Sequence, residues 1–347
     1  MTVPVAVSGP ALEFTLGEFR PESGGIIRDA RLRYRIFGDP ALGHANGWIV
    51  VFHALTGNAD LDDWWAPALG PGRALDTSRH AIVVANLLGS CYGSSGPAEV
   101  SDGSFPALTT ADLAQAHIPL IRALDIRHIA LATGGSLGGM VALHWGRLTP
   151  VPVDRLVVFA APARTSAQAI GWNTAQRMAI EADPAWEQGA YPAGAGPRAG
   201  LAAARAIAMI TYRSLTEFEQ RFGRRQSRAP GRFDVDLYLR RHGQKLVDRF
   251  DARSYVALMR SMDSHDIGDL PAAARQTAAR VGEVVGVGID TDILYYPREV
   301  RDWVAGYAAA GATARYEEIR SVYGHDAFLI EFDQVERLLR GERAGPG

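Results

Sequence analysis

A serine set among glycines is the first feature of this chain with chemical meaning: Gly134-Gly135-Ser136-Leu137-Gly138. It follows the apolar run His128-Ile-Ala-Leu-Ala132 and precedes the helical pattern Met140-Val-Ala-Leu-His-Trp-Gly146. In that setting G-x-S-x-G forms a sharp strand-to-helix turn that presents the serine hydroxyl. The glycines let neighbouring backbone pack where a Cβ would not fit. Ser136 would sit at a helix N-terminus, whose partial positive charge favours a developing oxyanion. The chemistry expected is attack on a carbonyl carbon, with the acyl group carried covalently on Ser136.

A serine hydroxyl needs a base, and the base needs an orienting carboxylate. On a turn of this kind the acid and then the histidine follow the serine along the chain. Of nine histidines, only His325 lies beyond the strand-like run ending at Ile289, where the acid is due. It stands in Tyr323-Gly324-His325-Asp326, just after the last strand-like run. The acid is one of two residues in Asp290-Thr291-Asp292. Asp292 is the first choice, and Asp290 can serve as a turn residue instead. An oxyanion hole needs two backbone N–H groups, one from the residue after the nucleophile and one from a loop after an earlier strand. Leu137 fills the first position, and Leu55 in His53-Ala-Leu-Thr-Gly57 fills the second.

These residues must be positioned by strands and helices, and the chain supplies both. Ala30 to Ile36 alternates as a half-buried strand does. Trp48–Phe52, Ala81–Ala85, His128–Ala132 and Leu156–Ala160 are short continuous apolar runs. Such runs suit strands covered on both faces of a parallel sheet. A helical pattern runs from Thr109 or Thr110, either of which can cap it, to Leu124. Strand and helix alternating in this way predict a doubly wound α/β sheet. From Ser166 to about Ala273 the chain reads as helical, with a loop at Ala193–Pro197. The rhythm then returns: a strand over Glu283–Ile289, a helix over Arg298–Ala309 and a strand over Arg315–Ile319. This predicts one α/β core over 1–163 and 276–347, with a helical cap inserted at 164–275.

The 347 residues, 47% of them hydrophobic, suffice for one sizeable core with an appended region. A formal charge of −2 gives no bias toward nucleic acid or an anionic membrane. No apolar run reaches the roughly 20 residues that span a bilayer. The N-terminus lacks the basic start and apolar stretch of a secretory signal. Cys91 is the single cysteine, so no internal disulfide forms. A cytoplasmic protein is expected. There is no H-E-x-x-H and no Cys/His cluster with metal spacing, so no metal is expected. Arg221, Arg224, Arg225, Arg228, Arg232, Arg240 and Arg241 cluster in the cap region. They suit either a solvated helix face or a phosphate-bearing ligand. His265 reads as structural, and Trp64-Trp65 as packing or as the mouth of the site.

Several blocks in order carry a family resemblance. They include His53–Gly57, Gly70-Pro-Gly-Arg-Ala-Leu-Asp-Thr77 and Asn86-Leu-Leu-Gly-Ser-Cys-Tyr-Gly-Ser-Ser-Gly-Pro97. Gly134–Met140, Ile210-Thr-Tyr-Arg-Ser214, Phe250-Asp-Ala-Arg-Ser-Tyr255, Gly288–Tyr295 and Gly324–Leu329 continue the series. Together they resemble the homoserine O-acetyltransferase family. The resemblance implies an α/β-hydrolase fold: a mostly parallel central sheet, helices on both faces and an inserted helical cap. It implies Ser136 as nucleophile, Asp292 as orienting acid and His325 as base. By the same resemblance, Arg205 would hold a substrate carboxylate and Asp326 would lie near a substrate ammonium. Acetyl-coenzyme A would be the co-substrate, L-homoserine the acceptor, and a homodimer the assembly. Succinyl donors, serine acceptors and simple ester or thioester hydrolysis remain alternatives on the same triad. Leu137 stands where the family usually has methionine, Ser90 replaces a usual glycine, and the Gly57–Trp64 loop is shorter than usual.

Overall fold

A computed structural model describes residues 9–100, 104–227 and 231–343. Eight strands form one sheet: β1 (Leu12–Phe19), β2 (Ile27–Phe37), β3 (Trp48–Phe52), β4 (Ile82–Ala85), β5 (Ile129–Gly135), β6 (Val153–Phe159), β7 (Val281–Ile289) and β8 (Ala314–Ile319). Their spatial order is β1-β2-β4-β3-β5-β6-β7-β8. β1 and β2 pair antiparallel, as do β2 and β4, while every pair from β4 across to β8 is parallel.

The continuous apolar runs are explained by two cores, one on each face. Val50 and Phe52 of β3 enter the larger core, and Ile49 and Val51 enter the smaller. β6 divides in the same way, with Leu156 and Val158 on one side and Val157 and Phe159 on the other. A strand buried on both sides has no position left for a polar residue. Two short helices, α1 (Pro40–Asn46) and α2 (Leu61–Trp64), flank β3 along the chain. Helices α3 (Thr110–Ala123) and α4 (Leu137–Leu148) feed the larger core. Thr109, not Thr110, caps α3: its Oγ1 accepts from the Asp112 N–H while Asp112 Oδ2 accepts from the Thr109 N–H. The Thr110 hydroxyl instead meets His265.

Between β6 and β7 the chain leaves the sheet and forms α5 (Ala167–Glu181), α6 (Arg198–Thr211), α7 (Leu215–Arg221), α8 (Asp234–Val247), α9 (Ala252–Asp263) and α10 (Leu270–Ala278). Its outgoing and returning ends lie side by side. The Thr165 N–H donates to the His265 carbonyl and the Ile267 N–H to Ala163. His265 is buried; its Nε2–H donates to the Pro162 carbonyl at 2.9 Å and its Nδ1 accepts from Thr110. Burial holds this ring neutral, with a pKa near 4, so it acts as a structural tie. Helix α11 (Pro297–Ala309) follows β7, and α12 (Phe332–Leu339) closes the smaller core.

β1 is a strand that the apolar pattern of the sequence does not mark. That strand is an edge with a bulge at Gly17 and no fully buried residue, so it carries no apolar run. Among the described residues, no helix is long and apolar enough to cross a membrane.

Candidate active site

The chain order β3, β4, β5 places β4 on one side of β3 and β5 on the other, so the strand order reverses around β3. In open α/β sheets ligands bind outside the carboxyl ends of strands at such a reversal. Gly134 and Gly135 end β5 there, and α4 begins at Leu137. Ser136 between them has φ 57° and ψ −125°, a backbone state that costs a non-glycine residue strain. Its N–H is held by the Phe159 carbonyl of β6 at 3.0 Å. The flanking glycines are required by contact. A Cβ on Gly138 would lie 2.1 Å from the Phe52 carbonyl oxygen, and one on Gly135 would lie 2.4 Å from the Phe328 ring.

Three side chains remote in sequence meet at this turn. His325 Nε2 lies 2.8 Å from Ser136 Oγ, and His325 Nδ1 lies 2.7 Å from Asp292 Oδ2. Nδ1–H donates to the carboxylate, which leaves Nε2 to accept the serine proton. Asp292 Oδ1 accepts the Leu294 and Tyr295 N–H groups at 2.8 and 3.0 Å, so both oxygens are fixed. All three side chains are buried. Burial opposes a charged His325 ring, but the Asp292 carboxylate outweighs it and raises the pKa above its ordinary 6.5. Asp290 goes elsewhere: its carboxylate accepts the Ser321 N–H at 3.0 Å and joins the ends of β7 and β8.

Leu137 opens α4, so its N–H is among those a helix leaves without an internal acceptor. Leu55 lies in a turn whose Gly57 N–H donates to the Ala54 carbonyl at 2.9 Å. The close fit of Gly138 to Phe52 and His53 brings this turn beside the start of α4. Among the described residues, the Leu55 N–H has no acceptor. Arg205 on α6 lies over the Tyr212 ring at 5.5 Å, and it forms no ion pair among the described residues. Asp326 is held by Arg213 at 3.2 Å.

Three aromatic side chains to which the sequence assigns no role enclose the imidazole. Tyr295, Phe328 and Tyr212 lie 5.3, 5.7 and 5.8 Å from the His325 ring, centre to centre. Each stands within a motif block read above, but only packing shows that they share one neighbour. Trp65 is fully buried packing, and its indole N–H donates to the Phe328 carbonyl at 3.0 Å. In the arginine cluster, Arg221, Arg225, Arg232 and Arg240 pair with Glu217, Asp234 or Asp236, and Arg224 lies over Phe233. Arg228 lies outside the described residues.

A mostly parallel sheet, a strained serine at a strand–helix turn and a Ser-His-Asp relay define an enzyme of the α/β-hydrolase class, and the alpha/beta hydrolase fold family matches residues 47–242. Relatives narrow this further. The homoserine O-acetyltransferase of Moorella thermoacetica is 41% identical, covering 92% of this chain and 91% of that one. The homoserine O-acetyltransferase of Chlorobaculum tepidum is 42% identical, over 92% of this chain and 90% of its own. The chain belongs to the homoserine O-acetyltransferase family. The crystal structure of the Staphylococcus aureus homoserine O-acetyltransferase superposes with a TM-score of 0.79 at 29% identity, over 96% of this chain and 94% of that one.

Proposed function

We propose that this chain transfers an acetyl group from acetyl-coenzyme A to the hydroxyl of L-homoserine through an acetyl-Ser136 intermediate. The observation that carries the reading is the Ser136–His325–Asp292 relay, with contacts of 2.8 and 2.7 Å. His325 Nε2 takes the Ser136 proton as Oγ bonds to the thioester carbon. The Leu55 and Leu137 amides face the resulting oxyanion. The carbon–sulfur bond then breaks, and His325 returns its proton to the leaving thiolate. Homoserine enters and gives its hydroxyl proton to His325 as its oxygen attacks the acetyl carbon. When the bond to Oγ breaks, that proton goes back to Ser136.

Arg205 supports an amino-acid acceptor, since a guanidinium without a carboxylate partner can take one bidentately. We assign Asp326 to the ammonium end, where it would share charge with Arg213. Burial of the relay also favours transfer over hydrolysis, because water competes with the acceptor hydroxyl. We further assign the protein to the cytoplasm, as a homodimer without nucleic-acid or membrane partners. Exposed Leu215, Met178 and Ile210 on the helical segment suit a subunit interface.

The test is a matrix of acetyl- and succinyl-coenzyme A against homoserine and serine, with Ser136→Ala as control. O-acetylhomoserine formed by the wild type alone is the expected result. Acetate released equally with and without homoserine would make the enzyme a hydrolase, and full transferase activity in Ser136→Ala would end the covalent route.

A further inference from the structure

The turn that carries the Leu55 amide is anchored from two sides. On the inner side, His53 Nδ1–H donates to the Ala54 carbonyl at 2.8 Å, and His53 Nε2 accepts the Leu87 N–H at 2.9 Å. Asn86 Oδ1 accepts the Ala59 N–H at 2.5 Å, tying the same loop to the end of β4. On the outer side the turn is held by an arginine from the helical segment. Arg249, between α8 and α9, donates from Nη1 to the Thr56 carbonyl at 2.8 Å and from Nη2 to Thr56 Oγ1 at 3.3 Å. Nη1 also donates to the Tyr92 hydroxyl at 2.5 Å. The Tyr92 ring stands edge-on to Phe250 at 5.6 Å, which fixes the far end of the fork.

The Thr56 carbonyl belongs to the peptide next but one after the Leu55 N–H. Ala54 to Gly57 is one closed turn, so rotating the Thr56 peptide reorients the Leu55 N–H as well. The geometry points to Arg249 as a positioning residue: it holds the oxyanion-facing turn in register and makes that register depend on the helical segment packed above it. This rests on the acyl-transfer reading given above. Arg249 itself need touch neither donor nor acceptor. An amide displaced by a fraction of an ångström still binds a ground-state carbonyl but loses the shorter bond to the oxyanion.

The experiment follows the burst of coenzyme A released from full-length enzyme mixed with acetyl-coenzyme A, in Arg249→Met, Arg249→Lys and Tyr92→Phe. Arg249→Met should slow the burst about ten-fold, less than the loss of an oxyanion donor itself, with little change in the KM for acetyl-coenzyme A. Arg249→Lys, which keeps a donor for the Thr56 carbonyl, should recover part of the rate, and Tyr92→Phe should lose less than Arg249→Met. Because Arg249 is exposed, the melting temperature should hold, and Tyr92→Phe carries the test if Arg249→Met does not fold. A normal burst rate in Arg249→Met, or a loss confined to KM, would overturn the assignment. Ser136→Ala separates the two ideas. A burst from that variant removes the covalent reading, and this inference with it. No burst there, with an unchanged Arg249→Met, removes this inference alone.

Discussion

Asp326 is bound to Arg213 at 3.2 Å, one residue past the imidazole that faces Ser136. The same guanidinium reaches Glu217 at 3.2 Å, and the three side chains are only 7 to 16% exposed. Two carboxylates therefore share one cation beside the active site. Arg213→Met would strip Asp326 of its cation and leave Glu217 with Arg221 alone, at a cost of about 2 kcal/mol, below the fully buried case because some solvent reaches the group. Urea denaturation of the variant measures this. A midpoint equal to wild type would show that the shared cation contributes nothing to stability.

Asp292→Asn should fold normally and lose activity. An asparagine oxygen can still accept the Leu294 and Tyr295 N–H groups that Asp292 Oδ1 accepts. Its amide nitrogen would then face His325 Nδ1 and force the proton onto Nε2, the wrong tautomer for removing the Ser136 proton. A fall of about 10³ to 10⁴ in kcat, with an unchanged melting temperature, is expected. Activity within ten-fold of wild type would mean that Asp292 does not set the tautomer.

The pH dependence follows from the same pair. Burial disfavours the charged His325 ring, but Asp292 beside it, with a smaller push from Asp326, raises the pKa above 6.5. Only the neutral ring accepts the serine proton, so acylation should fall as pH drops through a limb above 6.5. Asp292→Asn leaves burial less opposed and should move that limb down. The stability term has the opposite sense. A raised folded pKa stabilises fully below the unfolded value and is lost as pH rises through the folded one. A pH profile of kcat/KM for acetyl-coenzyme A with its acid limb at or below 6.5 would contradict this.

Backbone strain at Ser136 separates two inactive variants. Ser136→Ala and Ser136→Gly both lack the hydroxyl, but only glycine accepts φ 57° and ψ −125° without strain. Glycine should be the more stable of the two by about 1 kcal/mol, after its larger unfolded-state entropy is subtracted. Thermal melting of the pair decides it, and an alanine variant as stable as the glycine one would show the turn to be unstrained.

The strands around the site were legible because the sheet is buried on both faces. Trp48–Phe52 and Leu156–Ala160 had to be apolar at every position, and local sequence records that. The serine turn was legible because Gly134 and Gly138 answer to close backbone contacts within the motif and at the end of β3, whereas the contact of Gly135 with the Phe328 ring is made only by the fold. The sequence could order Ser136, an aspartate and His325, but it offered both Asp290 and Asp292. The turn after β7 separated them, sending one carboxylate to Ser321 and the other to the imidazole. It equally gave no hint that Arg213 would meet Asp326 or that Arg249 would hold Thr56. Element type and motif chemistry are set by neighbours in the chain, so they are written locally. Contacts between a helical segment and loops more than a hundred residues away depend on how layers pack, and only the folded chain brings them together.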